Sequence, residues 1–161
     1  MLLSCALPPS PAAVDHIVEA ERLGYERAWL YDSPALYGDI WAIAALAAVR
    51  TSRIGLGPAV LVPNLRHPLA QASAIATLEQ LAPGRVAVAI GTGFTGRMAM
   101  GRPPLSWATT REYIEQVRTL LRGGTVVVDG APVRMLHQPG FAPERPLTVP
   151  IVVAANGPKG L

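Results

Sequence analysis

The sequence has one cysteine, Cys5, and one lysine, Lys159. A lone cysteine excludes an internal disulfide framework and fits a reducing, cytoplasmic setting. The other basic residues are arginines spread singly along the chain. With abundant alanine, that bias is associated with a GC-rich bacterial genome. The formal charge is +3, yet there is no run of like charges and no basic patch interleaved with aromatics. A nucleic-acid partner is therefore not expected. Long apolar runs are also missing. The longest, Ile40 to Val49, is too short to cross a bilayer, so no membrane partner is expected. "LLSC" near the start has no basic segment before it, as a signal peptide would require. Leu2 to Leu7 reads instead as a buried first strand. His16, His67 and His137 have no metal-ligand spacing, and neither a nucleophile elbow nor a zinc pattern occurs. No metal is expected, and no catalytic group can be named.

What is present is a core. Half of the 161 residues are apolar and 16% are charged, the balance of one globular domain. Apolar strands alternate with helical segments. Ser10 and Pro11 open a first helix that Gly24 ends. Glu26 to Asp32 is a second strand and Asp39 to Arg50 a second helix. "RIGLGPAV" (residues 53–60) is a third strand, Pro68 to Gly84 a third helix and Arg85 to Gly91 a fourth strand. In "REYIEQVRTLLRGG", Tyr113, Ile114, Val117, Leu120 and Leu121 share one face of a fourth helix. "TVVVDGAPVRM" is a hairpin turning at Asp129-Gly130. Pro150 to Gly157 is a fifth core strand.

The core strands are continuous apolar runs, which predicts a parallel sheet covered on both faces, with helices outside. An open doubly wound sheet and part of an eight-fold barrel both fit. In either, function collects at the C-terminal strand ends: Asp32-Ser33, Pro58-Ala59-Val60, Gly91-Thr92-Gly93 and Ala155-Asn156-Gly157. Asp32 there is a loop cap or a ligand group. "GTGFTG" (Gly91 to Gly96) has the G-x-G-x-x-G spacing of a dinucleotide loop. However, "RMAMGRPPLS" stands where a Rossmann helix would follow at once. The glycines are either a flexible strand exit or a place where backbone approaches a flat ligand.

"RIGLGPAVLVPNLRHPLAQASAIATLEQLAPGRVAVAIGTG", with "YDSPALYGDIWAIAALAA" and "VPIVVAANGPKG", resembles the luciferase-like flavin-dependent oxidoreductases. That family includes the bacterial luciferases and the methylenetetrahydromethanopterin reductases. The resemblance runs through nearly the whole chain and implies a parallel (β/α)8 TIM barrel. Residues 1–161 would be its first half: about five core strands, four helices and a hairpin excursion, truncated at the C-terminus. It implies the deazaflavin coenzyme F-420 or FMN as cofactor, a small organic substrate, and either hydride transfer or oxygen activation.

Residue by residue, the resemblance puts Asp32 near the cofactor ring. Ala59-Val60 becomes a non-proline cis peptide bulging against that ring. Thr92 and Gly93 line the cofactor site, and Asn156 and Gly157 approach the cofactor's side chain or phosphate. Two departures stand out. Ser33 replaces the histidine of the sugar-phosphate dehydrogenases, and Phe94 replaces a common acidic residue. "FTGRMAMGRPP" is closer to the reductase-like subgroup, where Arg97 either faces an anionic group or lies on the surface. The alternatives are a catalytically inactive half-barrel or assembly module, with possible homo-oligomers through exposed barrel edges, and an open doubly wound nucleotide-binding domain.

Overall fold

A computed structural model of the chain describes residues 2–155. The elements run β1 (Ser4–Leu7), α1 (Pro11–Arg22), β2 (Arg27–Leu30), α2 (Ile40–Arg50), β3 (Gly55–Pro58), α3 (Pro68–Leu81), β4 (Val88–Ile90), α4 (Thr95–Ala99), α5 (Trp107–Leu121), β5 (Thr125–Val128), β6 (Ala131–Arg134) and β7 (Ile151–Val153). Five helices are present among the described residues where four were expected. The additional one, α4, starts at Thr95 inside the glycine-rich loop and runs into the segment that reads in sequence as a plain connection.

The helix starts follow from local chemistry. Ser10 Oγ accepts the Ala13 N–H, and Pro11 occupies the first turn, where its missing donor does no harm. Asp39 accepts the N–H groups of Trp41 and Ala42 to start α2. His67, expected to shape a turn, caps α3 by accepting the Leu69 N–H at Nδ1. Asp129 and Gly130 both have positive φ, as a two-residue hairpin turn requires.

β1–β2, β2–β3 and β4–β7 pair in parallel. Parallel bridges Leu56–Val86 and Leu61–Ile90 connect β3 to β4. The strands thus lie in the order β1-β2-β3-β4-β7, following the chain. A doubly wound sheet would reverse about its first strand, so that alternative is set aside.

Ala28, Leu30, Leu56, Val88 and Ile90 face the helices and join Ile17, Ala44, Ala47, Ile75, Val117 and Leu120 in one core. The expectation of two covered faces holds for β3 and β4, where every residue is buried, and fails for β1, β2 and β7. On their other face Ser4 and Ala6 are exposed, Trp29 is half-buried and Val152 is 48% exposed. Strand side chains alternate between faces, so in these outer strands a helix layer on one side covers only every second residue.

A candidate cofactor-ring cavity at the strand ends

The β3–β4 ladder is irregular at its C-terminal end. From Leu56 to Leu61 the chain advances five residues. From Val86 to Ile90, between the same two bridges, β4 advances four. One extra residue on β3 must bulge out of the ladder. Ala59 N–H still donates to Leu30 O and Leu61 N–H to Ala89 O, both at 2.7 Å. Ala59-Val60 lies between these two anchors, and its peptide bond is cis, as the resemblance implied.

The bulge forms one wall of a cavity of about 210 Å³, lined by Tyr31, Asp32, Ser33, Ala59, Val60, Val62, Gly93, Phe94, Thr95 and Gly96. Gly93 sits at φ +74°, and a Cβ there would overlap Val62 Cγ1. A Cβ on Gly91 would stand 3.2 Å from Val60 Cγ2. The glycines therefore let the fourth-strand loop close against the bulge, a job only a residue without a side chain can do.

Among the residues proposed from sequence, Asp32, Ala59, Val60 and Gly93 meet in this cavity. Thr92 does not line it; its carbonyl instead accepts the Leu105 N–H at 2.9 Å. Asn156 and Gly157 lie outside the described residues. Arg97 is neither a surface arginine nor a cavity group. It is 7% exposed, and its Nε donates to Pro103 O at 2.9 Å, tying α4 to the loop behind it.

Asp32 is 4% exposed. Its partner is Arg66, from the loop between β3 and α3, which sequence reasoning missed. Arg66 Nη1 donates to both Asp32 oxygens, at 2.9 and 2.8 Å. Arg66 Nη2 donates to Asp39 Oδ2 at 2.9 Å. The Tyr113 hydroxyl donates to Arg66 O at 3.1 Å and fixes the loop to α5. Burial pushes the Asp32 carboxyl above its ordinary range, and Arg66 pulls against that rise. Burial alone would depress Arg66, but Asp32 and Asp39 hold it above its ordinary value. The geometry is that of an ionised pair, and the cavity thereby carries a neutralised carboxylate. The only clue in the sequence was an arginine beside a proline-bounded turn, 34 residues from its partner.

The cavity fits part of a flat cofactor. Typical cofactor pockets are about 300–1,000 Å³, so this one has room for a fragment such as a ring. Its walls combine glycine and small apolar groups with the rings of Tyr31 and Phe94, the hydroxyls of Ser33 and Thr95 and the Asp32 carboxylate, and no cationic side chain among the described residues lines it.

The chain is similar to known proteins in sequence and in fold. The profile of the luciferase-like monooxygenase family matches residues 6–161. An F420-dependent glucose-6-phosphate dehydrogenase from Kineococcus radiotolerans is 36% identical over 158 residues, spanning 89% of this chain and 46% of the relative. The 5,10-methylenetetrahydromethanopterin reductase of Methanopyrus kandleri is 34% identical over 142 residues, spanning 77% of this chain and 40% of the relative. The solved coenzyme F420-dependent tetrahydromethanopterin reductase from Methanopyrus kandleri superposes with a TM-score of 0.77 at 27% identity, covering 97% of this chain and 50% of that one. The chain spans about half the length of the curated relatives it matches.

Proposed function

This chain belongs to the luciferase-like monooxygenase family, and from that premise we propose that it carries the ring-binding part of a flavin- or deazaflavin-dependent oxidoreductase. In this reading β1, β2, β3, β4 and β7 are the first five strands of a TIM-type barrel, within one luciferase-like domain. The observation that supports it best is the convergence of Asp32, the Ala59-Val60 bulge and Gly93 on one cavity at the C-terminal strand ends. Function collects at that end in parallel α/β folds.

The deazaflavin coenzyme F-420 is the first choice of cofactor, because F420-dependent enzymes are among the relatives; FMN is the second. When bound, such a cofactor supplies hydride transfer or oxygen activation, while the protein positions and insulates the ring. The residues proposed to hold it are Asp32, Ala59, Val60 and Gly93, with Thr92 supporting the fourth-strand loop through its carbonyl. Asn156 and Gly157 would extend the site toward the cofactor's side chain. Asp32 offers acceptor oxygens, the bulge offers a flat apolar wall, and Gly93 permits close backbone approach. The proposed substrate is a small organic molecule. Ser33 and Phe94 supply no acid-base pair beside Asp32, so no catalytic residue is assigned.

The outer edges of β1 and β7 have no strand partner among the described residues. Unpaired edges favour pairing with another chain, which supports a homo-oligomer. No helix among the described residues is long and apolar enough to cross a membrane.

Fluorescence titration of the chain with each cofactor tests the reading. No cation among the described residues lines the cavity to grip a phosphate, so binding is expected to be weaker than about 10 µM, or about −7 kcal/mol. A Gly93→Val chain should not bind. Unchanged binding by that variant would refute the assignment of the cavity.

A further inference from the structure

Arg66 stands behind the cavity rather than in its wall. Its guanidinium is divided between a buried carboxylate, Asp32, and a half-exposed one, Asp39, whose side chain is 56% exposed. Asp39 has a separate duty, capping α2 through Trp41 and Ala42. The guanidinium is thus held at a fixed place by a rigid helix start on one side and by Tyr113 on its own carbonyl on the other. Arg66 Nη1 reaches both oxygens of Asp32. A neutral carboxyl would turn one of those oxygens into a donor facing a donor.

We propose that Arg66 is a positioning residue, which keeps Asp32 ionised and fixed in orientation so that the cavity presents an acceptor, not a donor, to its ligand. The claim rests on the reading of this cavity as a cofactor-ring site, but it concerns the free protein and is testable without any ligand. An acceptor selects for ring edges that carry N–H groups and disfavours anionic oxygens. The chemical class admitted beside Asp32 is therefore an imide or amide edge, or a hydroxyl donor.

The charged and titratable groups around Asp32 come from every packed element. β2 brings Tyr31 next to it, α2 brings Asp39, and α5 brings Tyr113, whose hydroxyl is pushed well above its ordinary range, first by burial. The loop before α3 brings Arg66. Arg97 of α4 is committed elsewhere, its Nε donating to Pro103 O. The Val62 N–H adds a contact that favours the carboxylate. Arg66 is the cation paired with Asp32, whereas Asp39 acts on Asp32 as a like charge that raises it.

Removing Arg66 and removing Asp39 should therefore shift Asp32 in opposite directions. Carbon-13 NMR of the Asp32 carboxyl, followed through a pH titration of the free chain, reads its ionisation directly. In the wild type Asp32 should be ionised at neutral pH. Arg66→Met should move its titration upward by about 1–3 units, the usual effect of losing an adjacent opposite charge. Arg66→Lys should restore part of that shift. Asp39→Asn should move the titration the other way, while asparagine keeps the α2 cap. A merely structural role for Arg66 would not move the Asp32 titration on loss of its charge and bring it back with Arg66→Lys. If Arg66→Met does not fold, Arg66→Gln, which keeps a donor and loses the charge, takes its place and should shift the titration the same way. Asp32 protonated at neutral pH in the wild type, or a titration unmoved by removal of the Arg66 charge, overturns the proposal. Failure of cofactor binding with the shifts intact would instead count against the cofactor reading alone.

Discussion

Gly57 of β3 sits against the carbonyl oxygen of Ala87, so closely that a Cβ on Gly57 would overlap it. The same Cβ would stand 3.2 Å from Trp29 on β2. A glycine in the middle of an apolar strand is therefore a packing requirement, set by the approach of the β4 backbone just before the bulge. Gly57→Ala should destabilise the chain by about 3 kcal/mol or more, because backbone rather than a mobile side chain must give way. Chemical denaturation checks this. A midpoint within error of the wild type would show that β3 and β4 can separate at no cost.

Asp32 should give the chain a pH-dependent stability of definite sign. Its carboxyl is raised in the folded state, chiefly by burial. Between its ordinary value and the folded value, the native state binds more protons than the unfolded state. Its contribution is complete below the ordinary value and is lost as pH rises through the folded one. Asp32→Asn should flatten that part of the profile. Thermal melts across the acid range measure it, and an unchanged slope would contradict the burial assigned to Asp32.

Glu21 should act with the opposite sign. One of its oxygens, Oε1, accepts the backbone N–H groups of Ser52, Arg53 and Ile54 at 2.9, 2.6 and 2.9 Å, tying α1 to the entry of β3. Burial works to raise this carboxyl, but the three donors outweigh it and hold it below its ordinary range. Its contribution is present above the ordinary value and is lost as pH falls through the folded value. Glu21→Ala should cost about 1–2 kcal/mol at neutral pH, discounted for solvent access, and less in acid. Denaturation midpoints of the two chains should therefore converge as the pH is lowered.

The parts of the fold that were legible in the sequence rest on local chemistry. Ser10-Pro11, Gly24 and Asp129-Gly130 specify a cap, a stop and a turn through backbone rules that act over a few residues. The α5 stripe from Tyr113 to Leu121 was legible because helical spacing repeats. The half-covered sheet was not, because an apolar run such as Leu2 to Leu7 reads alike whether one face or both are buried. The short α4 escaped because its cap residue, Phe94, makes no capping hydrogen bond. In the candidate site, the family pattern pointed to Asp32, Ala59-Val60 and Gly93. Arg66 was hidden, since a partner 34 residues away leaves no trace in local spacing. Arg97 was singled out as facing an anionic group or lying on the surface, and it does neither: it is buried and donates to Pro103 O six residues on.

The central claim is that the cavity between Asp32, the Ala59-Val60 bulge and Gly93 receives a flavin or deazaflavin ring. Amide NMR shift mapping tests it most directly and tolerates weak binding. Coenzyme F-420 or FMN added to the labelled chain should shift the amides of Asp32, Ala59, Val60, Thr92 and Gly93 first and furthest. The shifts should be absent in a Gly93→Val chain. Shifts centred instead on the second cavity of about 430 Å³, which is lined by Asn64, Thr109, Gln116 and Asp129, or no shifts near Val60 at saturating cofactor, would contradict the account.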